Sequence, residues 1–288
     1  MVQRRDFRRN NNRFSRRSGG FFARSSLTTA LIIINVIAFV FFLILIGLNS
    51  GMTNYVAVQP ENVLQGKAVW TVFTSMFMHA GVFHLFVNMF SLFFLGRLIE
   101  KVIGRKRYLW FYLIAGIVGS LFFVLFAYIG QFVPRGDFVF GGMSDSAVGA
   151  SGAIFGLLGL LAVLLPKKEV YLIVGPIVVI VLQFLFGAFI PEGISGVVNI
   201  IATILIFLMI LAIFSPNSGF RKIAMPLKLP FWLTPIIAIV PLVLVGLFVK
   251  LPIGNTAHFG GLIVGLIYGA YLRKKYPKKV KLLNKILR

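Results

Sequence analysis

The sequence predicts an all-α fold, a polytopic bundle of membrane-spanning helices, and three observations carry that expectation. First, 59% of its 288 residues are hydrophobic and 12% charged, against about 45–50% and about 25% in a soluble domain. Mean hydropathy is +0.95. Second, the apolar residues gather into eight stretches, 27–48, 83–100, 108–131, 150–166, 170–190, 194–214, 230–250 and 256–273. Each approaches the roughly 20 helical residues that cross a hydrocarbon core of about 30 Å. None alternates as a barrel strand does. Third, the charge is distributed by side. Eight crossings that start from a cytosolic N-terminus place 26 of the 29 Lys and Arg on the cytosolic side, leaving only Lys67, Arg135 and Lys250 opposite. Shifting the topology by one span destroys that asymmetry, which is the positive-inside pattern.

Taken in order, residues 1–26 carry eight arginines and cannot bury a core, so they read as a disordered cytosolic tail. The apolar run of 27–48 is too long for a cleavable signal peptide and no small-residue cleavage site follows it. Segment 49–82 contains Pro60, Trp70 and Phe73 and is too apolar for a solvated loop. A partly embedded loop must bury its backbone in protein. The stretch 150–166 is short and flanked by glycine, which suits a helix surrounded by other helices. Residues 274–288 form a second basic tail. The net charge of +22 fits tails that lie on anionic lipid, and no nucleic-acid partner is expected.

Zero cysteines exclude disulfides, thiolate catalysis and Cys-ligated metals. The seven carboxylates (Asp6, Glu61, Glu100, Asp137, Asp145, Glu169, Glu192) all fall in loops or at span ends, so neither a two-carboxylate hydrolase nor an acidic proton relay is indicated. The histidines are His79, His84 and His258, without zinc-ligand spacing. Neither a metal nor another cofactor is expected. Spans 150–166 and 256–273 run the same way, and Ser151 and His258 stand at matching heights near their outer ends. A hydroxyl beside an imidazole is what a nucleophile and its general base require, provided the helices touch. Small residues at four-residue spacing favour such contact. They are Gly152 and Gly156, with Gly159, on one helix, and Ala257, Gly261, Gly265 and Gly269 on the other. His84 and Asn88, four apart, share a face of the second span and supply hydrogen-bond donors.

These residues together resemble the rhomboid family of intramembrane serine proteases. The resemblance rests on Thr74-Ser75-Met76-Phe77-Met78-His79-Ala80-Gly81, on His84-Leu85-Phe86-Val87-Asn88-Met89, and on Gly96-x-x-x-Glu100. It rests further on Gly149-Ala150-Ser151-Gly152 and Ala257-His258-Phe259-Gly260-Gly261, all in the family's order. It implies Ser151 as nucleophile and His258 as base, a dyad without a carboxylate. It also implies an oxyanion hole of His84, Asn88 and the Ser151 amide, with Gly149 keeping backbone near the substrate carbonyl. His79 would be structural in the first loop, Glu100 a hydrogen-bonding anchor at the cytosolic end, and Phe155 a ring stacked on the catalytic imidazole where some members carry tyrosine. Trp70-Thr71 departs from the family's Trp-Arg.

The family core has six helices, with one between the serine and histidine helices. Here three stretches intervene, so a rhomboid-like protease domain over 27–273 with an inserted helical pair within about 191–253 is expected. By order 170–190 is the fifth core helix; by adjacency to the histidine it is 230–250. The implied activity is cleavage of membrane-spanning protein substrates near the outer face, in a multi-pass protein with cytoplasmic termini, most simply in a prokaryotic plasma membrane. Two other readings compete: a catalytically silent relative that binds membrane helices, and a small-solute transporter built on interrupted helices.

Overall fold

The computed structural model describes residues 26–187, 189–248 and 254–286. The predicted N-terminal tail, except Ser26, lies outside the described residues, as do Lys250 and positions 287–288. Eight apolar helices follow one another as the hydropathy predicts: α1 Leu27–Leu48, α2 Val82–Ile103, α3 Arg105–Gly130, α4 Ser151–Leu164, α5 Val174–Gly187, α6 Glu192–Ala212, α7 Thr234–Gly246 and α8 Asn255–Lys275, with α9 Pro277–Ile286 after them. The molecule is a polytopic helical bundle. Among the described residues four helices, α1, α2, α3 and α6, are long and apolar enough to cross a membrane by themselves.

The basic end of the bundle is tied together by capped helix termini. A helix N-terminus exposes four unpaired N–H groups. At α1 the Glu100 carboxylate, from the last turn of α2, accepts from Leu27 N at 2.7 Å, Thr28 N at 3.0 Å and Thr28 Oγ1 at 2.9 Å. Ser26 Oγ accepts from Thr29 N at 3.1 Å. An anion placed there also meets the positive end of the helix dipole. Gly104, at φ 82°, turns the chain from α2 directly into α3. At the far side of the same end, Asn284 of α9 donates to Leu164 O at 2.7 Å and so satisfies the C-terminus of α4.

Helix α4 is the hub. Ten of its 14 residues are buried, so it can be short: protein rather than lipid surrounds it, as its flanking glycines suggested. Its widest contact is with α8, and α3 closes the third side. A Cβ added at Gly261 would collide with Gly152 O, one at Gly265 with Gly156 O, and one at Gly159 would come within 2.7 Å of Leu262 O. The small-residue stripe is therefore the contact surface itself. Lipid supplies no hydrophobic drive between helices, so close van der Waals packing supplies the attraction.

Between α4 and α8 the structure departs from the predicted stretches. Residues 170–190 were expected to form one span, yet Glu169–Ile173 is a strand, β1, and the helix begins only at Val174. Likewise 230–250 starts as strand: β2, Pro226–Pro230, pairs antiparallel with β1 from Glu169↔Pro230 to Ile173↔Pro226. Lys228 forms an ion pair with Glu169 across the ladder. The reason is pairing between distant segments: the β-branched and aromatic run Val170-Tyr171-Leu172-Ile173 is as compatible with a ladder as with a helix. The ladder returns the chain to its starting point, with Gly175 N on Ala224 O at 3.3 Å. It frames α5 and α6 as a hairpin, joined internally by Gln183 Nε2 donating to Asn199 Oδ1 at 2.7 Å. Helix α6 lays Phe207 against Phe86 of α2, and Phe214, just past its end, lies against Phe90. Helix α7 packs on α4 and α8.

Candidate active site

Opposite the basic end, the segment before α2 folds back over the N-terminus of α4. Residues 50–55, 60–64 and 71–74 form short helices. Val56, Ala57, Val58, Thr71, Ser75, Met76 and His79 are buried, so this segment packs into protein, as its apolar composition required. Its Ser75 carbonyl accepts from Gly149 N at 2.8 Å, and Val58 bridges to Ala147.

Those contacts set the turn into α4. Gly149 takes φ +122°, a left-handed conformation that side chains rarely adopt, and a Cβ there would lie 2.8 Å from His84 Cε1. Glycine is required twice over, by the backbone and by the approaching imidazole. Ser151 then opens α4 as its first residue. Across the glycine seam, His258 lies in the first turn of α8 and places Nε2 2.8 Å from Ser151 Oγ. The two side chains that the sequence placed at equal height are thus within hydrogen-bond reach.

The imidazole of His258 is held without a carboxylate. Its Nδ1 is buried and meets no hydrogen-bond partner among the described residues. Instead Phe155, one turn after the serine, stacks face to face on the ring at 4.4 Å between centroids and 13° between planes. An aromatic stack fixes the plane of the ring and contributes about 0.5–1.5 kcal/mol. When Nε2 accepts the serine proton, Nδ1 is the protonated nitrogen.

His84 lies beside Gly149, on the same side of the site as Ser151 Oγ. Ala80 N donates to its Nδ1 at 3.4 Å, which leaves Nε2 as the protonated nitrogen of the neutral ring, able to donate. Asn88 is buried, and its Nδ2 donates to His84 O at 2.9 Å, the i−4 partner on its own helix. One amide hydrogen is spent there and a second remains. His79 sits behind the site, edge-on to His84 at 5.2 Å and to Phe39 at 6.5 Å. Burial, reinforced by the neighbouring His84, pushes its pKa down to about 3, which fits a neutral packing group. Glu100 stands at the other end of the molecule, where it caps α1.

The sequence reading did not single out Gly119. A Cβ on it would lie 2.8 Å from Ala257 O and 3.4 Å from Gly152 Cα, so this residue of α3 lets both site helices close. The signal was present in Ala115-Gly116-x-x-Gly119-Ser120. It had no chemistry attached to draw notice.

The family model for the Rhomboid domain matches residues 66–216, just over half of the chain. The chain belongs to the rhomboid family. Among curated relatives it is 39% identical over 116 residues to RHOMBOID-like protein 1 of Arabidopsis thaliana, covering 40% of this chain and 26% of that one. It is 34% identical over 153 residues to Rhomboid protease GluP of Bacillus subtilis (strain 168), covering 50% and 27%. It is also 34% identical over 104 residues to Inactive RHOMBOID-like protein 8 of Arabidopsis thaliana, covering 36% and 25%. The matches thus span about a quarter of each relative's length. The rhomboid match takes in Ser151 and ends before α8, so His258 joins the site through the fold and not through the matched segment. This rhomboid chain is an integral membrane protein.

Proposed function

We propose that this protein is an intramembrane serine endopeptidase that cleaves membrane-spanning substrates with a Ser151–His258 dyad. The observation that carries the reading is the 2.8 Å contact between His258 Nε2 and Ser151 Oγ, at the N-terminal ends of α4 and α8 and away from the basic end. Relatives named both as protease and as inactive resemble the chain, so the family by itself leaves activity open. The retained pair, the stacked Phe155 and the strained Gly149 turn speak for catalysis.

In the proposed reaction His258 Nε2 takes the serine proton as Oγ attacks a peptide carbonyl. His84 Nε2–H, the free Asn88 amide hydrogen and the Ser151 N–H then stabilise the oxyanion. Removing one such donor typically costs about 2.7–4 kcal/mol of barrier. His258 returns the proton to the leaving amine, and water hydrolyses the acyl-enzyme. A helical substrate guards its own amides, so it must unwind locally to present an extended strand. The site needs no metal or other cofactor for these steps. The positive charge asymmetry supports cytoplasmic termini and a site in the outer half of the membrane, and the prokaryotic plasma membrane remains the proposed location. The basic tails 1–26 and 274–288 then meet anionic lipid. The β1–β2 ladder supports α5–α6 as the inserted pair, with α7 taking the fifth core position beside α4 and α8. That is earlier than the 191–253 window of the sequence reading.

The test is reconstitution with a panel of single-span substrates, comparing the protein with Ser151→Ala. Serine-dependent cleavage is the expected result. An intact, folded protein that cleaves none of the panel favours the silent helix-binding reading.

A further inference from the structure

The basic end carries a second concavity, far from the serine. A cleft of about 460 Å³ opens where the C-terminus of α4, the connection to β1, the last turn of α8 and the helix α9 converge. Lys167 and Lys168, Arg273 and Lys281 line it, against an apolar wall that includes Leu165 and Val280. Among the described residues no carboxylate lines it, and Glu169, next along the chain, is engaged by Lys228. The cleft has a built floor, because Asn284 holds α9 against the end of α4 through Leu164 O. The carbonyl ends of α4 and α8 account for some of these cations. Lys167, Arg273 and Lys281 converging on one cavity with an apolar wall exceed that need.

We propose that this cleft binds the headgroup of an anionic phospholipid. The cations suit the phosphate, and Leu165 and Val280 suit the first methylenes of the acyl chains. The depth is right as well, since the cleft lies where the apolar helices α4 and α8 end. Basic pockets between membrane helices are the usual receptors for such headgroups. Helix α9 completes the picture: besides its lysines it exposes Leu282 and Ile286, four residues apart on one face, as a helix lying in the interface does. An occupied headgroup would fasten α9, and through Asn284 the end of α4, whose other end carries Ser151. The proposal does not depend on the peptidase reading.

Native mass spectrometry of the purified full chain in zwitterionic micelles tests it, with phosphatidylglycerol, phosphatidylcholine and inorganic phosphate as separate additions. The expected result is retention of one phosphatidylglycerol and not phosphatidylcholine. Each removed charge should weaken retention about fivefold, so Lys167→Gln with Arg273→Gln and Lys281→Gln weakens it on the order of 100-fold. The control triple Lys274→Gln, Lys278→Gln and Lys285→Gln, equal in charge and outside the cleft, should retain the lipid. Lys281→Glu on exposed α9 gives a single-site version that leaves the core untouched. Equal loss in both triples, equal retention of phosphatidylcholine, or displacement of the lipid by millimolar inorganic phosphate would overturn the proposal.

Discussion

Replacing Gly261 with alanine places a methyl group inside the van der Waals envelope of Gly152 O, the tightest of the contacts along the α4–α8 seam. Backbone lies on both sides, so no flexible side chain can yield, and α8 must back away from α4. The Ser151–His258 contact has little room for that. It stands at 2.8 Å, and a general base works within about 3.2 Å, so a retreat of about 0.4 Å takes the pair to the edge of productive reach. Overpacking of this kind costs about 1–3 kcal/mol of stability. Misplacing a catalytic group by about 1 Å costs on the order of 100-fold in rate. The expectation is therefore a modest fall in unfolding temperature and a fall of about two orders of magnitude in cleavage of a single-span reporter. Gly47→Ala is the control, since a Cβ there meets nothing within 4 Å. A Gly261→Ala protein with wild-type turnover would refute the idea that this seam sets the dyad.

Three further outcomes are expected. Phe155→Leu removes the stack on His258 and should lower turnover up to about tenfold, in line with about 0.5–1.5 kcal/mol of ring positioning, while Phe155→Tyr keeps it. Glu100→Ala strips three donors at the start of α1 of their acceptor; it should cost about 1–3 kcal/mol in chemical unfolding and leave serine reactivity in the folded fraction unchanged. His79 gives stability a pH dependence. The unfolded imidazole binds a proton near pH 6.5, whereas the folded one does so only near 3. The unfolded state therefore holds more protons in that window, and stability declines as pH falls from about 6.5 towards 3. Melting curves across that range should be flatter for His79→Gln.

The helical part of the fold was legible because lipid imposes so few solutions: an apolar run of the right length must satisfy its own backbone. The Ser151–His258 contact was legible for a related reason. Parity put both residues at one end, and glycines four apart allowed the backbones to meet. What the sequence concealed depends on partners far along the chain. Val170–Ile173 has no local mark that separates strand from helix, and its pairing with Pro226–Pro230 appears only when α5 and α6 have folded back. The Gly149 turn is similar, since its reason is the Ser75 carbonyl and the His84 ring that converge on it. Asn88 shows a limit of spacing arguments. The four-residue interval correctly put it on the face of His84, and the same interval lets its amide donate to the His84 carbonyl.

The proposed peptidase activity turns on the reactivity of one hydroxyl. Treating the purified protein with a fluorophosphonate and mapping the adduct by peptide mass spectrometry should find it on Ser151, with labelling abolished in a folded His258→Ala protein. Labelling of Ser151 that persists without His258, or an adduct on another serine such as Ser75 with Ser151 untouched, would contradict it.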